Sequence, residues 1–216
     1  MTLYTYFRSS AAYRVRIALN LKGLAFEPVA VHLLRGGGEQ HTAAYRQINP
    51  SELVPTLVDQ EVRIGQSLAI MEYLEERYPT PALLPATAAE RARVRALAQT
   101  IACDVHPLNN LRVLRYLEHD LHVDEAAKAS WYRHWITLGF DAFEALLTSS
   151  PHTGVFCHGD TPGLADCCLI PQLANARRFD TPLEAFPTLL RIETACLALA
   201  AFQRAAPQAQ ADAHAA

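Results

Sequence analysis

Two periodicities alternate over the first eighty residues. Residues 3–7 form a short apolar run that reads as a strand. Over 12–22, Val15, Ala18 and Leu19 recur at i, i+3 and i+4, the spacing of one helix face, and Gly23 supplies a residue suited to closing that helix. Residues 26–31 read as a second strand, and Pro28, which has no backbone donor, assigns it to an edge or an irregular stretch. A loop with Gly36-Gly37-Gly38, expected to be mobile, leads to a short helix over 43–48 that Asn49-Pro50 ends. Residues 53–58 and 62–64 flank Asp59-Gln60-Glu61 as a hairpin, and Ser67 stands where it can cap a helix running to about Arg77. The order β-α-β-α-β-β-α fits a small α/β sandwich. Tyr78-Pro79-Thr80-Pro81 stops its last helix, which sets a first domain over 1–81 and a second over 87–216.

The second domain reads as helical throughout. It opens on Thr87-Ala88-Ala89-Glu90, a capping box in which hydroxyl and carboxylate each satisfy a free backbone donor. His106-Pro107 interrupts the helix that follows. An internal proline costs about 3 kcal/mol, a cost easier to understand where the kink shapes a site. A helix over 124–147 presents Trp131, Trp135 and Leu138 as expected core, and another over 164–179 contains Pro171. A last one starts at Pro187, a good first helical residue, and runs to about Arg204. The tail 205–216, rich in Ala, Pro and Gln, is expected to fray.

Composition narrows the function. Half the residues are apolar, yet no run approaches the ~18 that span a bilayer. No basic segment precedes an apolar one at the start, so a secretory signal is not expected. The formal charge of −3 is spread over interspersed acids and bases, without the basic stripe that nucleic acid requires. Cys103, Cys157, Cys167, Cys168 and Cys196 form an odd set lacking a C-x-x-C pair, which suits reduced thiols in a cytoplasmic protein. His119 and His122 are the nearest local histidine pair, but no third ligand stands at a usual spacing, so no metal is expected.

Three short features bear on chemistry, and each admits two readings. Arg8-Ser9-Ser10 lies between the first strand and first helix, where a serine either caps the helix or joins its free N–H groups as an anion site. Val54-Pro55 is either the start of an edge strand or a cis-proline turn that presents the backbone of Val54 to a peptide-like ligand. Gln66-Ser67 is either a cap or a carboxylate site. A sandwich of this order brings all three loops to one end.

Longer stretches carry a resemblance. Residues 9–19, Ser-Ser-Ala-Ala-Tyr-Arg-Val-Arg-Ile-Ala-Leu, resemble the signature S-S-C-x-W-R-V-R-I-A-L of the zeta class of glutathione transferases, the maleylacetoacetate and maleylpyruvate isomerases. Asn49-Pro50 with Val54-Pro55-Thr56-Leu57, Gln66-Ser67-Leu68-Ala69-Ile70, Glu72-Tyr73-Leu74, His106-Pro107-Leu108-Asn109-Asn110-Leu111 and Leu164-Ala165-Asp166-Cys167 are similar to further stretches of that class, in order, over nearly the whole chain. The resemblance implies an α/β thioredoxin-like N-terminal domain plus an all-α C-terminal domain, the glutathione transferase fold. It also implies a homodimer with glutathione as cofactor.

By position, Ser9 would hydrogen-bond the glutathione sulfur with Ser10 beside it, and Val54 would pair with the cysteinyl backbone. Gln66 and Ser67 would hold the γ-glutamyl group, with Gln40, His106 and Asn110 as further contacts. Arg8, Arg112 and Arg178 are the candidates for a clamp on the two carboxylates of a maleyl keto-diacid, since guanidinium forks match planar carboxylates. Arg177 is assigned instead to ordinary salt bridging. A free thiol is only a few per cent ionised at neutral pH, so donors that favour the thiolate matter. Such a thiolate can add to a cis double bond, allow rotation and leave, so glutathione is regenerated. The class's cysteine is Ala11 here, its tryptophan is Tyr13, and Gly163 opens the box ending at Asp166. Three other functions leave different marks. A general conjugating transferase would not need several arginines, and a non-catalytic module would not need Ser9, Gln66 and Ser67 together. A thiol-disulfide oxidoreductase would need a cysteine where Ala11 stands.

Overall fold

In the computed structural model, which describes residues 1–213, four strands form one sheet: β1 (Thr2–Thr5), β2 (Glu27–Ala30), β3 (Thr56–Asp59) and β4 (Val62–Gly65), in the order β2-β1-β3-β4. β2 runs parallel to β1 through the crossover helix α1 (Ser10–Leu21), whereas β3 and β4 run antiparallel to their neighbours. Pro28 thus lies on an edge strand, where proline is tolerated. α1 closes as its glycine predicts. Gly23 adopts φ +65°, its N–H donates to Asn20 O at 3.2 Å, and Leu24 N–H donates to Leu19 O at 3.0 Å.

The short helix α2 (Ala43–Ile48) is capped by Thr42, and α3 (Ser67–Arg77) follows β4. The expected glycine loop carries two 3-10 turns, Arg35–Gly37 and Glu39–His41. Ser67 is the first residue of α3 rather than its cap, a position that Gln66 takes. The end of α3 is fixed by a buried ion pair: Lys22 Nζ donates to Glu75 Oε2 at 2.7 Å and to the carbonyls of Tyr78 and Pro81 at 2.8 Å each.

Contacts divide the chain into Met1–Leu83 together with the segment from Leu197 onward, and Leu84–Cys196. The last segment, expected within a helical domain over 87–216, therefore groups with the sheet. The helix expected from Pro187 to Arg204 is two, α8 (Pro187–Leu197) and α9 (Ala200–Ala205), and α9 packs on α1. The tail does not fray through 213. Ala205 and Ala206 are buried, 3-10 turns span Pro207–Ala209 and Ala211–Ala213, and Phe7 N–H donates to Asp212 Oδ2 at 2.9 Å. Small alanine side chains let this segment lie close to its neighbours, an effect that composition alone does not reveal. Positions 214–216 of that expectation lie outside the described residues.

The second unit holds α4 (Ala88–Gln99), α5 (Leu111–His119), α6 (Glu125–Thr148), α7 (Leu164–Arg178) and most of α8. Both halves of the Thr87–Glu90 capping box form. Between α4 and α5, Pro107 sits in a 3-10 turn that follows a π-helical stretch, Thr100–Val105. Gly139 of α6 makes room for it, since a β-carbon there would stand 2.1 Å from Val105 Cγ2. The buried stripe of α6 is Tyr132, Ile136, Phe140, Phe143 and Leu147, while the expected core residue Leu138 is 53% exposed. Trp131 and Trp135, expected in the core, are half-buried beside this stripe, because the 3.6-residue period centres one position later. At the start of α7, Asp166 accepts from Gly163 N at 2.8 Å and Cys157 N at 2.9 Å, so the carboxylate serves where glycine has no side chain to offer. Among the described residues, no helix is long and apolar enough to cross a membrane.

Candidate active site

Strand register puts three loops at one end of the sheet. Tyr4 faces Thr56, which faces Gly65, so the loop leaving β1, the loop entering β3 and the loop leaving β4 share an edge. These loops carry Ser9, Val54 and Gln66-Ser67.

Ser9 is the N-cap of α1, its Oγ accepting from Ala12 N at 3.2 Å. Because Oγ accepts there, its own hydrogen remains available to an outside acceptor. Ser10 is buried within the first turn, and Arg8 is exposed with its guanidinium 4.9 Å from the Phe7 ring centre. Capping and site readings of this serine are thus compatible.

The Val54-Pro55 bond is cis, and Val54 lies just before β3, outside the ladder. A polar network beneath it holds the turn. Tyr45 Oη donates to Leu53 O at 2.7 Å, and Asn49 Nδ2 donates to the same oxygen at 2.9 Å and to Thr56 Oγ1 at 3.1 Å. Burial raises the Tyr45 hydroxyl above its usual range, against the bonds to Thr56 and Asn49 that lower it. Glu52, in the same loop, is held down at about 2 by hydrogen bonds from Arg46 and His41.

Gln66 has φ +66°, rare for a residue with a side chain and costing about 1–3 kcal/mol. Its side chain makes no cap bond, so the first N–H groups of α3 lack a side-chain acceptor from that position. Ser67 Oγ accepts from Arg14 Nη1 at 3.1 Å, and both side chains are buried. Gln40 is buried with Nε2 3.0 Å from His41 Nε2, whereas its Oε1 has no partner among the described residues. Whichever way the amide is turned, one of its polar atoms is unclaimed, and a buried polar group left so is costly.

In the helical unit, Asn110 caps α5 by accepting from Arg112 N at 3.1 Å, and its Nδ2 lies 3.4 Å from His106 Nε2. The kink at Pro107 thereby brings His106 and Asn110 together. Arg112 is exposed. Arg178, also exposed, lies over the Phe179 ring at 4.8 Å and beside the buried Tyr132 hydroxyl, which desolvation pushes up to about 12 against the arginine's opposing effect. Arg177 is taken by a carboxylate, donating to Glu193, while Arg178 has none within ion-pair distance among the described residues.

Sequence reasoning missed Arg14, Tyr45, Asn49 as a side-chain donor, and Asp212. Two arginines, Arg14 and Arg16, inside an otherwise apolar helical run were the available signal, because a helix buried on most sides admits such residues only where they are hydrogen-bonded.

Outside these loops, Glu90, His152 and His158 bring ligand-type atoms within 4.8 Å of one another. Arg93 Nη1 donates to His158 Nδ1 at 3.2 Å and to Cys157 O at 2.9 Å, which leaves the imidazole proton on Nε2, the atom facing Glu90. Burial and Arg93 lower the His158 pKa. Arg93 also donates from Nη2 to Thr153 Oγ1 at 2.8 Å, so it ties His158 to the loop that carries Thr153 and Cys157. Four cysteines are buried and none is bonded to another, and burial raises the thiols of Cys157, Cys167 and Cys196.

Residues 3–82 match the family model described as glutathione S-transferase, N-terminal domain. The chain is 54% identical over 214 residues to a probable maleylacetoacetate isomerase of Vibrio cholerae, covering 99% of this chain and 98% of that one. A solved holo structure of maleyl pyruvate isomerase, a bacterial zeta-class glutathione S-transferase, matches with TM-score 0.95 and 51% identity over 98% of this chain and 99% of that one. A maleylacetoacetate isomerase of Methylobacterium extorquens AM1 with bound malonate and GSH matches with TM-score 0.93 and 41% identity, over 97% and 98%. A thioredoxin-like N-terminal domain plus an all-α C-terminal domain is the glutathione transferase fold, as the sequence implied. The chain belongs to the zeta class of glutathione transferases, in the family of maleylacetoacetate and maleylpyruvate isomerases.

Proposed function

We propose that this protein is a glutathione-dependent cis–trans isomerase that converts a maleyl keto-diacid, maleylacetoacetate or maleylpyruvate, to its fumaryl isomer. The observation that carries this is the turn at α1, where Ser9 Oγ is fixed by Ala12 N with its hydrogen left to give. Two more features suit the tripeptide: the unclaimed amide atom of buried Gln40, and the α3 N-terminus that Gln66 leaves without a side-chain cap. Bound glutathione supplies a thiol that, once ionised, adds reversibly to the cis double bond.

The chain's own residues do the rest. Ser9 donates to the sulfur and favours its ionised form, helped by the positive end of α1, with Ser10 beside it. Val54 offers backbone groups to a peptide, and Gln66 and Ser67 hold a carboxylate at α3, with Gln40, His106 and Asn110 as further contacts. Arg8, Arg112 and Arg178 take the substrate carboxylates and the negative charge that develops between them. The working protein is a cytoplasmic homodimer.

Ultraviolet monitoring of each cis substrate tests the reading. Activity should vanish when glutathione is dialysed away and return when it is added. Equal rates without the tripeptide would refute it. Arg178→Ala should raise KM or lower kcat for the diacid by about tenfold or more, the worth of one charge-assisted contact, while glutathione affinity stays nearly intact. Lost glutathione binding would instead move Arg178 out of the substrate site.

A further inference from the structure

We propose that residues 205–213 form a strap that positions the Ser9 turn, with Asp212 as its positioning residue. The inference rests on reading that turn as the thiol site. Within the turn, Ser9 N–H donates to Tyr6 O at 2.9 Å. From α1, buried Arg16 donates to Thr5 Oγ1 at 2.9 Å, Tyr6 O at 3.3 Å and Phe7 O at 3.1 Å, and its Nε reaches Ala205 O at 2.9 Å. Arg16 therefore grips strap and turn at once. Asp212 Oδ2 completes the hold by accepting from Phe7 N at 2.9 Å, across 205 positions of sequence.

Charge and packing add to the geometry. Burial pulls the Arg16 guanidinium down to about 10, and the nearby Asp212 carboxylate is the largest influence opposing that shift. Asp212 thus supports the cation that grips the two carbonyls just before Arg8 and Ser9. Ala213 packs on the cluster of Tyr6, Phe7, Val31, Tyr45 and Val54, so the same strap backs the residues under both the Ser9 and the Val54 loops. A donor aimed at a developing anion must be held to about 0.5 Å, and a fold can survive a loosening that a site cannot. Asp212 touches no reacting atom in this scheme. It acts through Phe7 and Arg16.

Asp212→Ala tests this in the full-length protein. The circular dichroism spectrum should stay that of wild type and the melting midpoint should fall only modestly, since Phe7 N loses its acceptor while the bonds from Arg16 to Tyr6, Phe7 and Ala205 remain. The KM for glutathione should rise about tenfold, as expected for losing a charged hydrogen-bond partner, with a smaller change in kcat. The ultraviolet titration of bound glutathione should shift to higher pH. Asp212→Asn, which keeps an oxygen for Phe7 but not the charge near Arg16, should recover part of the loss. Hydrogen exchange at the Phe7 amide needs no ligand and should accelerate in Asp212→Ala. Unchanged KM, thiol titration and Phe7 exchange, beside a wild type that binds glutathione, would overturn the strap alone. A wild type that fails to bind glutathione would overturn the functional reading and the strap's role with it.

Discussion

Ser9→Ala is expected to lower kcat/KM for the cis diacid by about a hundred- to a thousandfold, the loss typical when one preorganised donor to a developing anion is removed. Two effects compete for the blame, and their magnitudes separate them. Ser9 caps α1 through Ala12 N, and losing a serine cap costs about 0.5–2 kcal/mol of stability. A domain stable by about 5–15 kcal/mol remains folded after that loss, so unfolding does not explain a hundredfold drop in rate. The rate loss then reports the missing donor. Its signature is a pH–rate profile displaced to higher pH, because the bound thiol ionises less readily without the hydroxyl. Ser9→Thr should retain much of the activity. Stopped-flow rates over a pH series, with a melt of each variant, check both parts. A folded Ser9→Ala with the wild-type profile would hand the role to Ser10.

What could be read from the sequence follows from how local each determinant is. Gly23, Asn49-Pro50, Pro28 and the Thr87–Glu90 box act within a turn of their own position, and each stands where its local chemistry put it. Ser9, Val54, Gln66 and Ser67 came together because strand order alone fixes which loops share an end. What escaped was non-local or shape-dependent. The stripe of α6 starts at Tyr132 and not at the larger Trp131, because angular position and not size decides which side chain faces the core. The segment from Leu197 onward has weak local preference, and its contacts at Phe7 and Arg16 lie 205 and 189 positions away. No window of sequence contains both partners. The break between α8 and α9 belongs to the same class, since α9 is placed by packing on α1.

The buried Lys22–Glu75 pair carries the second large expectation, this one on stability. Lys22→Ala should destabilise the protein by about 3–5 kcal/mol, the usual cost of removing one partner from a buried ion pair. The Lys22 side chain is wholly buried, and its ammonium serves Glu75 Oε2 and the carbonyls of Tyr78 and Pro81. Glu75 Oε2 also accepts from Leu83 N at 2.8 Å, so one carboxylate ties the end of α1 to the segment that leaves α3. Truncation strands a charge and two acceptors together, and the stranded carboxylate dominates because an ion costs more to bury than a carbonyl. The pair itself need not be strongly stabilising. Lys22→Met with Glu75→Gln removes both charges, and the double variant should lose less than the two single losses added together. Urea unfolding of wild type, Lys22→Ala, the two single replacements and the double variant gives the comparison, with glutathione affinity in the folded state as a control expected to stay constant. A Lys22→Ala midpoint equal to wild type would mean that burying Glu75 without its counter-cation costs nothing, and the expectation would fall.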